Sequence, residues 1–221
     1  MKFTISDSIP RAALVTGGMR QIGIVNALAG AGFVIALQSH PGDEAEPPAG
    51  AALLEADLSN EEQTASLVGR AMEVLGPIGV LVNAASTFGR DTWDDVTRAT
   101  WDMHIETNLR APFVLIQHFA MSLPPRYEGA IINLLDLRLC PHLVSYTLSK
   151  AALWTLTQTM ALALAPRIRV NGIASTPMRD QAAGASSAGG GDIGRAALAI
   201  LALSSMTGQM IVPDGSTPPA A

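Results

Sequence analysis

Short apolar runs alternate with longer stretches of helical pattern along the whole chain. The runs that predict strands are AALVT (12–16), FVIALQ (33–38), AALLEA (51–56), IGVLVN (78–83), AIINLL (130–135), IRVNGI (168–173) and QMIVP (209–213). Helical patterns lie between them, near 21–30, 60–75, 94–122, 145–164 and 193–205. Because each pair of parallel strands needs such a crossover, the pattern predicts an α/β fold: a doubly wound parallel sheet of about seven strands, with helices on both faces.

Length and composition bound the size of this fold. The chain has 221 residues, of which 48% are hydrophobic and 15% are charged, enough for one sizeable core. We therefore expect a single domain over residues 1–221. The stretch QAAGASSAGGGD (181–192) is Gly-rich and short of apolar anchors, which predicts a mobile loop.

Charge and cysteine content narrow the classes of partner. The net charge is −5 and no run of Lys or Arg offers the basic stripe that a nucleic-acid backbone requires. Cys140 is the only cysteine, which excludes an intramolecular disulfide and a Cys-based zinc site and favours a reducing compartment. The N-terminus lacks the apolar region of a signal peptide, and the apolar stretch 151–166 is interrupted by Thr and Gln. We expect a cytoplasmic protein that binds no nucleic acid, membrane or metal.

The segment TGGMRQIG directly follows the first predicted strand and opens the first predicted helix. It supplies Thr16, Gly17, Gly18, Ile22 and Gly23. Glycines let the backbone approach a pyrophosphate, and the helix N-terminus offers N–H groups and a positive dipole end to an anion. The alternative is a merely tight turn, for which Gly17 and Gly18 suffice. The place after the first strand of a doubly wound sheet favours the nucleotide and a Rossmann-type fold.

The end of the second predicted strand bears on which nucleotide would bind. It reads LQSHPGDE, and neither Gln38 nor Ser39 is the carboxylate that would bind a free ribose 2′-hydroxyl. With Arg20 in the glycine loop and Ser39 and His40 nearby, a 2′-phosphate fits better, which favours NADPH over NADH. His40 precedes a proline and reads equally well as a solvated loop residue.

Asp57, followed by Leu58, comes directly after the third predicted strand. The carboxylate of Asp57 could accept hydrogen bonds from an adenine amino group. The same stretch, DLSNEE, also reads as an ordinary helix start with an N-cap. This position alone does not decide between the two interpretations.

The stretch VSYTLSKAALW (144–154) places a tyrosine four positions before a lysine. Four residues are about one helical turn, so Tyr146 and Lys150 would lie on the same face of a helix. The pair could serve chemistry, or it could be an amphipathic packing pair in which the lysine stem covers apolar surface.

Six motifs occur in a fixed order along the chain: Thr16-Gly17 with Ile22-Gly23, LVNAAS at 81–86, NLRAP at 108–112, Tyr146 with Lys150, RVNGI at 169–173 and TGQMIVPDG at 207–215. In this order they resemble the short-chain dehydrogenase/reductase family over nearly the whole chain. The stretches TGGMRQIG, NAAS followed by Phe88, and IINLLD are most similar to its pteridine-reductase-like branch.

The resemblance implies roles for three side chains. Tyr146 would be the general acid that protonates a carbonyl or imine as hydride arrives from the nicotinamide. Lys150 would favour the phenolate, since an unperturbed tyrosine has a pKa near ~10, and would also bind the nicotinamide ribose. Asn108 would lie at a local helix distortion and hold a water that feeds protons through Lys150; the alternative is a surface amide on a helix.

The resemblance also implies a nucleotide site and an assembly. The matching cofactor-binding positions are Thr16, Gly17, Gly18, Arg20, Gln21, Ile22, Gly23, Gln38, Ser39, His40, Asp57, Leu58, Asn83, Ala84, Ala85, Tyr146, Lys150, Ser175 and Thr176. In the family, the helix that carries the tyrosine and the long helix before it form a four-helix dimer interface. The stretch SYTLSKAALWTLTQTMALALA is apolar on more than one face, which is typical of a buried helix. We expect a homodimer or homotetramer.

Several positions depart from the family pattern. Counted by motif, Asp136 takes the place of the substrate-orienting Ser or Asp; counted by spacing, Asn133 takes it, because the segment before Tyr146 is shorter than usual. Ala84 stands where a second Asn is usual, and Gln21 where a glycine or basic residue is usual. After the sixth predicted strand, Ser175 and Thr176 stand where the family has a Pro-Gly turn, and residues 175–192 form a shortened substrate-loop region.

Together these observations predict an NADPH-dependent reductase of a small-molecule substrate with a carbonyl or a pterin-like C=N bond. The alternative is a non-catalytic nucleotide-binding or scaffold protein of the same fold. The shortened segments favour that alternative, and the retained Tyr146, Lys150 and Asn108 disfavour it. NAD-dependent oxidation of a sugar or steroid alcohol is disfavoured by the missing acidic residue after the second strand.

Overall fold

One parallel sheet of seven strands is seen in the computed structural model, which describes residues 4–17, 22–43, 47–136, 139–174 and 190–213. The strands are β1 (Ala12–Val15), β2 (Val34–Ser39), β3 (Ala51–Glu55), β4 (Val80–Asn83), β5 (Gly129–Leu135), β6 (Ile168–Ala174) and β7 (Met210–Ile211). Their order is β3-β2-β1-β4-β5-β6-β7, and every neighbouring pair is parallel. All seven predicted strands, and the predicted α/β class, are therefore confirmed.

Five of the six connections between strands contain helices, at the five predicted places, whereas residues 40–43 and 47–50 between β2 and β3 are not helical. The helices are α1 (Ile22–Gly30), α2 (Glu61–Leu75), α3 (Arg98–Ile105), α4 (Ala111–Ser122), α5 (Val144–Leu164) and α6 (Gly190–Ala202). The pattern predicted over 94–122 begins later, at Arg98, because the side chain of Thr97 caps the helix there. A short π-helical segment, Glu106–Arg110, separates α3 from α4.

The predicted C-terminal boundary of the loop 181–192 is wrong. Residues 190–192 form the first turn of α6, while 181–189 lie outside the described residues. Asp192 in this first turn suits the positive end of the helix dipole, and the buried Ala196, Ala197 and Ile200 follow at helical spacing. The Gly-rich composition did not predict the start of this helix, because packing onto the sheet rather than local sequence stabilises it.

The sheet is buried on both faces by two cores that use alternate residues of each strand. Val15, Val82 and Ile132 pack with residues of α1 and α6. Their neighbours Leu14, Leu81 and Ile131 pack on the other face with residues of α2, α4 and α5. Because every position faces a helix layer, the central strands are continuous apolar runs rather than alternating ones. Helices therefore cover both faces, as predicted.

The strand order creates a crevice at the middle of the sheet. β1 pairs with β2 on one side and with β4 on the other, so the chain direction of the crossovers reverses there. In open α/β sheets, ligands bind outside the carboxyl ends of the strands at this switch point. Among the described residues, the helices are all too short or too polar to cross a lipid bilayer.

Candidate active site

Gly17 follows β1, and its backbone lies against that of Ala85, which follows β4. Gly17 has a φ of +62°, and a Cβ at this position would lie 2.5 Å from Cα and 2.8 Å from N of Ala85. The Oγ1 atom of Thr16 accepts hydrogen bonds from the backbone N–H groups of Ala84 (3.1 Å) and Ala85 (3.2 Å). The predicted residues Thr16, Gly17, Ala84 and Ala85 thus form one contact at the switch-point crevice.

Gln38 ties the same turn to the neighbouring strands. Its Oε1 accepts a hydrogen bond from the N–H of Gly17 at 2.8 Å, and its Nε2 donates to the carbonyl of Ala56 at 2.8 Å. The side chain is buried and holds the protein's own backbone. The structure therefore gives Gln38 a supporting position beside Gly17.

Three buried polar atoms surround this crevice without a hydrogen-bond partner among the described residues: Oγ of Ser39, Oδ1 of Asn83 and Oγ of Ser86. Buried polar groups are normally bonded, so such atoms indicate a missing ligand or water. They lie at the carboxyl ends of β2 and β4, on either side of β1. The chemistry of these positions fits a polar nucleotide. Ser86 was missed as a site residue, although it ends the quoted motif LVNAAS.

Five of the predicted nucleotide contacts lie outside the described residues: Gly18, Arg20, Gln21, Ser175 and Thr176. Of their neighbours, Ile22 begins α1 and is 45% exposed, while the carbonyl of Gly23 would lie 2.5 Å from a Cβ placed at Gly194 of α6. The first turn of α1 therefore packs closely on α6.

The exposed His40 and the half-buried Asp57 lie near each other just beyond β2 and β3. Asp57 accepts hydrogen bonds from the Oγ and N–H of Ser59, at 2.7 and 2.9 Å, and these bonds lower the pKa of its carboxyl group. His40 Nε2 lies 4.0 Å from Asp57 Oδ1. The N-cap of α2 is Asn60, not Asp57, so the helix-start interpretation applies to Asn60. Leu58 is buried in the core beneath α2.

Tyr146 and Asp136 are in direct contact. The phenol hydroxyl of Tyr146 donates a hydrogen bond to Oδ2 of Asp136 at 3.1 Å, and the two residues are 8% and 6% exposed. Tyr146 lies in the first turn of α5 and Asp136 immediately after β5. The shortened segment between them therefore still allows the carboxylate to reach the phenol.

Lys150 lies one turn further along α5, as its spacing predicts. Its Nζ is 5.9 Å from the centre of the Tyr146 ring and donates a hydrogen bond to the carbonyl of Leu134 at 3.3 Å. Burial lowers the pKa of Lys150 to about 8, and the Asp136 carboxylate opposes this shift by favouring the ammonium form. The ammonium group of Lys150 is thus held beside the phenol of Tyr146, almost completely buried from solvent.

Asn133 has a different environment from Asp136. It is fully buried within β5, where its Oδ1 accepts from Nδ2 of Asn83 at 2.8 Å and its Nδ2 donates to Oγ1 of Thr157 at 2.8 Å. Both bonds hold β5 to β4 and to α5. Of the two candidates for the substrate-orienting role, Asp136 is the one that contacts Tyr146.

Asn108 lies inside the π-helical segment, in agreement with the distortion that the resemblance implied. Pro112, four residues later, has no N–H to donate to the Asn108 carbonyl, which gives a physical reason for the break in α-helical pairing. The Asn108 side chain bonds to the N–H and carbonyl of Thr87 (2.8 and 3.0 Å) and to Oγ of Ser149 (3.1 Å). It joins the loop after β4 to α5.

A second cluster beside Tyr146 was not predicted from the sequence. His104 of α3 and Ser145 of α5 are fully buried and hydrogen-bonded to each other, and Ser145 is bonded in turn to Asp91. The ring of His104 meets the edge of the Tyr146 ring, with centres 5.9 Å apart. The three residues are separated by 54 positions at most, and only the fold brings them together.

The arrangement has the parts needed for proton transfer next to a nucleotide crevice. A phenol O–H, a carboxylate that accepts from it and a buried ammonium lie together at the carboxyl edge of the sheet. A phenol is a suitable general acid for a carbonyl or imine. Among the described residues, no group of three His, Cys, Asp or Glu side chains could hold a metal ion.

Comparison with known proteins gives consistent matches over most of the chain. The family model described as Enoyl-(Acyl carrier protein) reductase matches residues 22–200. "Probable galactose dehydrogenase GalD" of Rhizobium meliloti (strain 1021) is 31% identical over 182 residues, which cover 76% of this chain and 71% of that protein. L-xylulose reductase of Bos taurus is 36% identical over 179 residues, which cover 75% and 71%. The crystal structure of FolM alternative dihydrofolate reductase 1 from Brucella canis, complexed with NADP, is 36% identical, covers 92% of each chain and gives a TM-score of 0.80.

Proposed function

Because the chain belongs to the short-chain dehydrogenase/reductase family, we propose that it is an NADPH-dependent reductase that transfers hydride to a carbonyl or a pterin-like C=N bond. The observation that carries the proposal is the hydrogen bond from Tyr146 to Asp136, with the Lys150 ammonium beside the same ring. These three groups supply and stabilise the proton that such a reduction consumes.

The proton passes from the phenol oxygen of Tyr146 to the oxygen or nitrogen of the substrate. As hydride reaches the carbon of the double bond, this proton neutralises the charge that develops on the heteroatom. The phenol hydroxyl must turn away from Asp136 to do so. The Lys150 ammonium then stabilises the phenolate that remains.

Protons would reach the phenolate through Lys150 and the backbone of the π-helical segment. Pro112 deprives the Asn108 carbonyl of its ordinary α-helical donor, so this oxygen is a suitable place for a water. The lowered pKa of Lys150, about 8, suits a group that gives up and regains a proton near neutral pH. Asn108 would thus act in the relay by its backbone, while its side chain holds the surrounding loop.

NADPH supplies the hydride when it is bound. The groups that would hold it are the Gly17 turn and the buried hydroxyls of Ser39 and Ser86, which lack partners among the described residues. Residues 38–40 offer no carboxylate to a ribose 2′-hydroxyl, which favours a 2′-phosphate. The similar Brucella canis protein was crystallised with NADP, in support of the same preference.

The pterin-like substrate class is the finer part of the proposal. It rests on the motifs of the pteridine-reductase-like branch and on likeness to a protein named as an alternative dihydrofolate reductase. Asp136, 6% exposed and next to the phenol, suits a substrate with N–H donors, because a carboxylate accepts bonds from an amino-substituted ring. A carbonyl substrate would need only the phenol of Tyr146, as its proton donor, and no contact with Asp136.

A nucleotide-binding protein without turnover is the second candidate. The short segment between Asp136 and Tyr146 favours it, whereas the intact contact between their side chains favours an enzyme. Two measurements separate the candidates: fluorescence titration with NADPH and NADH, and a turnover screen with dihydropterins, quinones and aldehydes. Tight NADPH binding with turnover supports the reductase. NADPH binding with no turnover on any of these substrates supports the binding protein, and a preference for NADH contradicts the cofactor assignment.

Assembly through the outer faces of α4 and α5 is a further part of the proposal. Met121, Leu148 and Leu162 are 76%, 47% and 85% exposed in the single chain. Exposed large apolar side chains are typical of an interface between subunits when they lie close together. A homodimer or homotetramer would cover them.

A further inference from the structure

The helix that carries Tyr146 and Lys150 begins without a cap of its own. Leu143 stands at the N-cap position of α5 and makes no side-chain hydrogen bond there. Asp91, in the loop between β4 and α3, supplies the missing acceptor: its Oδ1 accepts a hydrogen bond from the N–H of Ser145 at 3.1 Å. A carboxylate at this end also interacts favourably with the helix dipole.

The backbone of Asp91 holds the same contact. Asp91 forms an isolated parallel bridge with Leu143. Its N–H donates to the carbonyl of His142 at 3.2 Å, and its carbonyl accepts from the N–H of Val144 at 3.3 Å. One residue of the β4–α3 loop therefore fixes the start of α5 by both its backbone and its side chain.

Ser145 and His104 extend this contact into the interior. The Oγ of Ser145 donates to Oδ2 of Asp91 and lies 2.6 Å from Nδ1 of His104. The three residues are at most 2% exposed. Since the serine proton goes to the carboxylate, the network assigns a proton to His104 Nδ1, which donates to the serine oxygen. Burial lowers the pKa of His104, with Asp91 acting in the opposite direction, so the ring is neutral near pH 7.

The cluster also touches the ring of Tyr146. The centre of the His104 ring lies 5.9 Å from the centre of the Tyr146 ring, and that of Phe88, from the same loop as Asp91, lies 5.1 Å away. Both contacts are edge-to-face. The phenol ring is therefore packed between residues whose positions relative to α5 are fixed by Asp91.

Two simpler uses of the cluster do not account for it. Ser145 cannot be a nucleophile, because its oxygen is fully buried and its proton is bonded to a carboxylate rather than to the histidine. Capping alone does not need a buried carboxylate, since α2 and α3 are capped by the neighbouring side chains of Asn60 and Thr97. Burying a carboxylate is costly unless its bonds are complete, so such a group is expected where position matters.

We propose that Asp91, Ser145 and His104 form a positioning triad that holds the phenol of Tyr146 in reach of Asp136. The proposal rests on the reductase function proposed above and deepens it. The triad does not touch the substrate. It fixes the first turn of α5, and a displacement of about 1 Å at a reacting group lowers a rate by about 100-fold.

The test compares Asp91→Ala with Asn60→Ala, which removes a cap from α2 away from the site. Asp91→Ala should lower kcat about 10- to 100-fold per folded enzyme while the Kd for NADPH stays unchanged. Asp91→Asn, which keeps an oxygen acceptor for the Ser145 N–H, should recover part of this loss. Asn60→Ala should leave kcat unchanged. Equal kcat values for Asp91→Ala and the wild type would overturn the positioning role.

Amide hydrogen exchange of the nucleotide-free protein tests the cap independently of turnover. Asp91→Ala should speed exchange at Ser145 and Tyr146, and Asn60→Ala should speed it only at the start of α2. Unchanged exchange at Ser145 would overturn the cap. If Asp91→Ala does not fold, Ser145→Ala, which removes the Oγ bonds to Asp91 and His104 but keeps the capped N–H, tests the positioning role by kcat, and Asp91→Asn, which weakens the acceptor of that N–H, tests the cap by exchange. A wild type that reduces no substrate overturns the reductase and the positioning role together, while the exchange result for the cap remains valid.

Discussion

The phenol oxygen of Tyr146 donates a hydrogen bond to the Asp136 carboxylate at 3.1 Å, although these residues lie on different elements. Asp136 follows β5 directly, and Tyr146 is in the first turn of α5. The chain between them needs only enough length to turn from the end of a strand to the start of the adjacent helix. A shortened segment at this place therefore leaves the contact between Tyr146 and Asp136 in place and changes mainly the surrounding surface of the site.

Replacing Tyr146 by Phe should remove the acid and leave the fold intact. The ring keeps its contacts with Phe88 and His104, so we expect unchanged NADPH affinity and a fall in kcat of about two to four orders of magnitude. Tyr127→Phe is the matched control, since Tyr127 is the only other tyrosine and its hydroxyl bonds to the exposed Arg126. Steady-state kinetics decide the point, and full activity of Tyr146→Phe would contradict the assignment.

Asp136 and Asn133 should respond differently to substitution. Asp136→Asn should lower kcat or raise KM, because its carboxylate accepts a hydrogen bond from the phenol. Asn133→Ala should cost about 1–3 kcal/mol of unfolding free energy, because Asn83 Nδ2 loses its buried acceptor. Urea unfolding and kinetics on both variants measure the difference. The reverse outcome would assign the substrate-orienting role to Asn133.

Lys150 should make stability depend on pH above neutrality. Its pKa falls from 10.5 to about 8 on folding, so between these values the unfolded chain binds more protons than the native one. Stability should therefore rise with pH across this window, by at most about 3 kcal/mol, as the cost of the buried ammonium disappears. Unfolding of the nucleotide-free protein at several pH values measures this slope.

Lys150→Met provides the control for that slope. Lys2 is the only other lysine, so the variant should lose the rise in stability that Lys150 gives between pH 8 and 10.5, and it should also lose reductase activity. A wild-type stability that falls steadily through this window would contradict the lowered pKa.

Gly17→Ala should destabilise the protein far more than Gly50→Ala. Both glycines have positive φ, +62° and +86°, but the space around Gly50 is open, whereas a Cβ at Gly17 would lie 2.5 Å from Ala85 Cα. We expect a cost of about 1 kcal/mol at Gly50 and about 3 kcal/mol or more at Gly17, with lost NADPH binding. Because the clash is with backbone atoms, adding Ala85→Gly should not restore stability. Thermal unfolding of the three variants tests this.

The exposed apolar residues of α4 and α5 should lie in a subunit interface. Light scattering at micromolar concentration should give the mass of a dimer or tetramer. Leu162→Glu should reduce that mass, while Val74→Glu on α2, which is also exposed (56%), should not. A monomeric wild type would contradict the proposed assembly.

The central strands β1, β4, β5 and β6 were predictable because each is buried on both faces and reads as a mostly apolar run. Tyr146 and Lys150 were predictable because one helical turn separates them. The sequence could not choose between Asn133 and Asp136, since the choice depends on where β5 ends: Asn133 is inside the strand, bonded to Thr157, and Asp136 lies just beyond it.

The partners of α5 could not be predicted, because they come from distant parts of the chain. Asp91 caps Ser145 across 54 positions, and Asn108 contacts Ser149 across 41. The pKa of Lys150 likewise depends on burial that only the packed structure defines. The π-helical segment has one local signal, the proline at 112, which removes a donor but does not by itself specify the pairing that replaces it.

The strand order also determines when β1 can complete its pairing while the chain is being synthesised on the ribosome. β1, β2 and β3 emerge first, yet β1 completes its pairing only with β4, where Leu14 pairs with Leu81. Until residues 80–83 leave the exit tunnel, one edge of β1 in the nascent chain has no neighbouring strand. An unpaired apolar edge of this kind can pair with strands of other chains. Ribosome-arrested chains that stop before β4 should therefore be cut readily by protease, and chains extended past β5 should resist it.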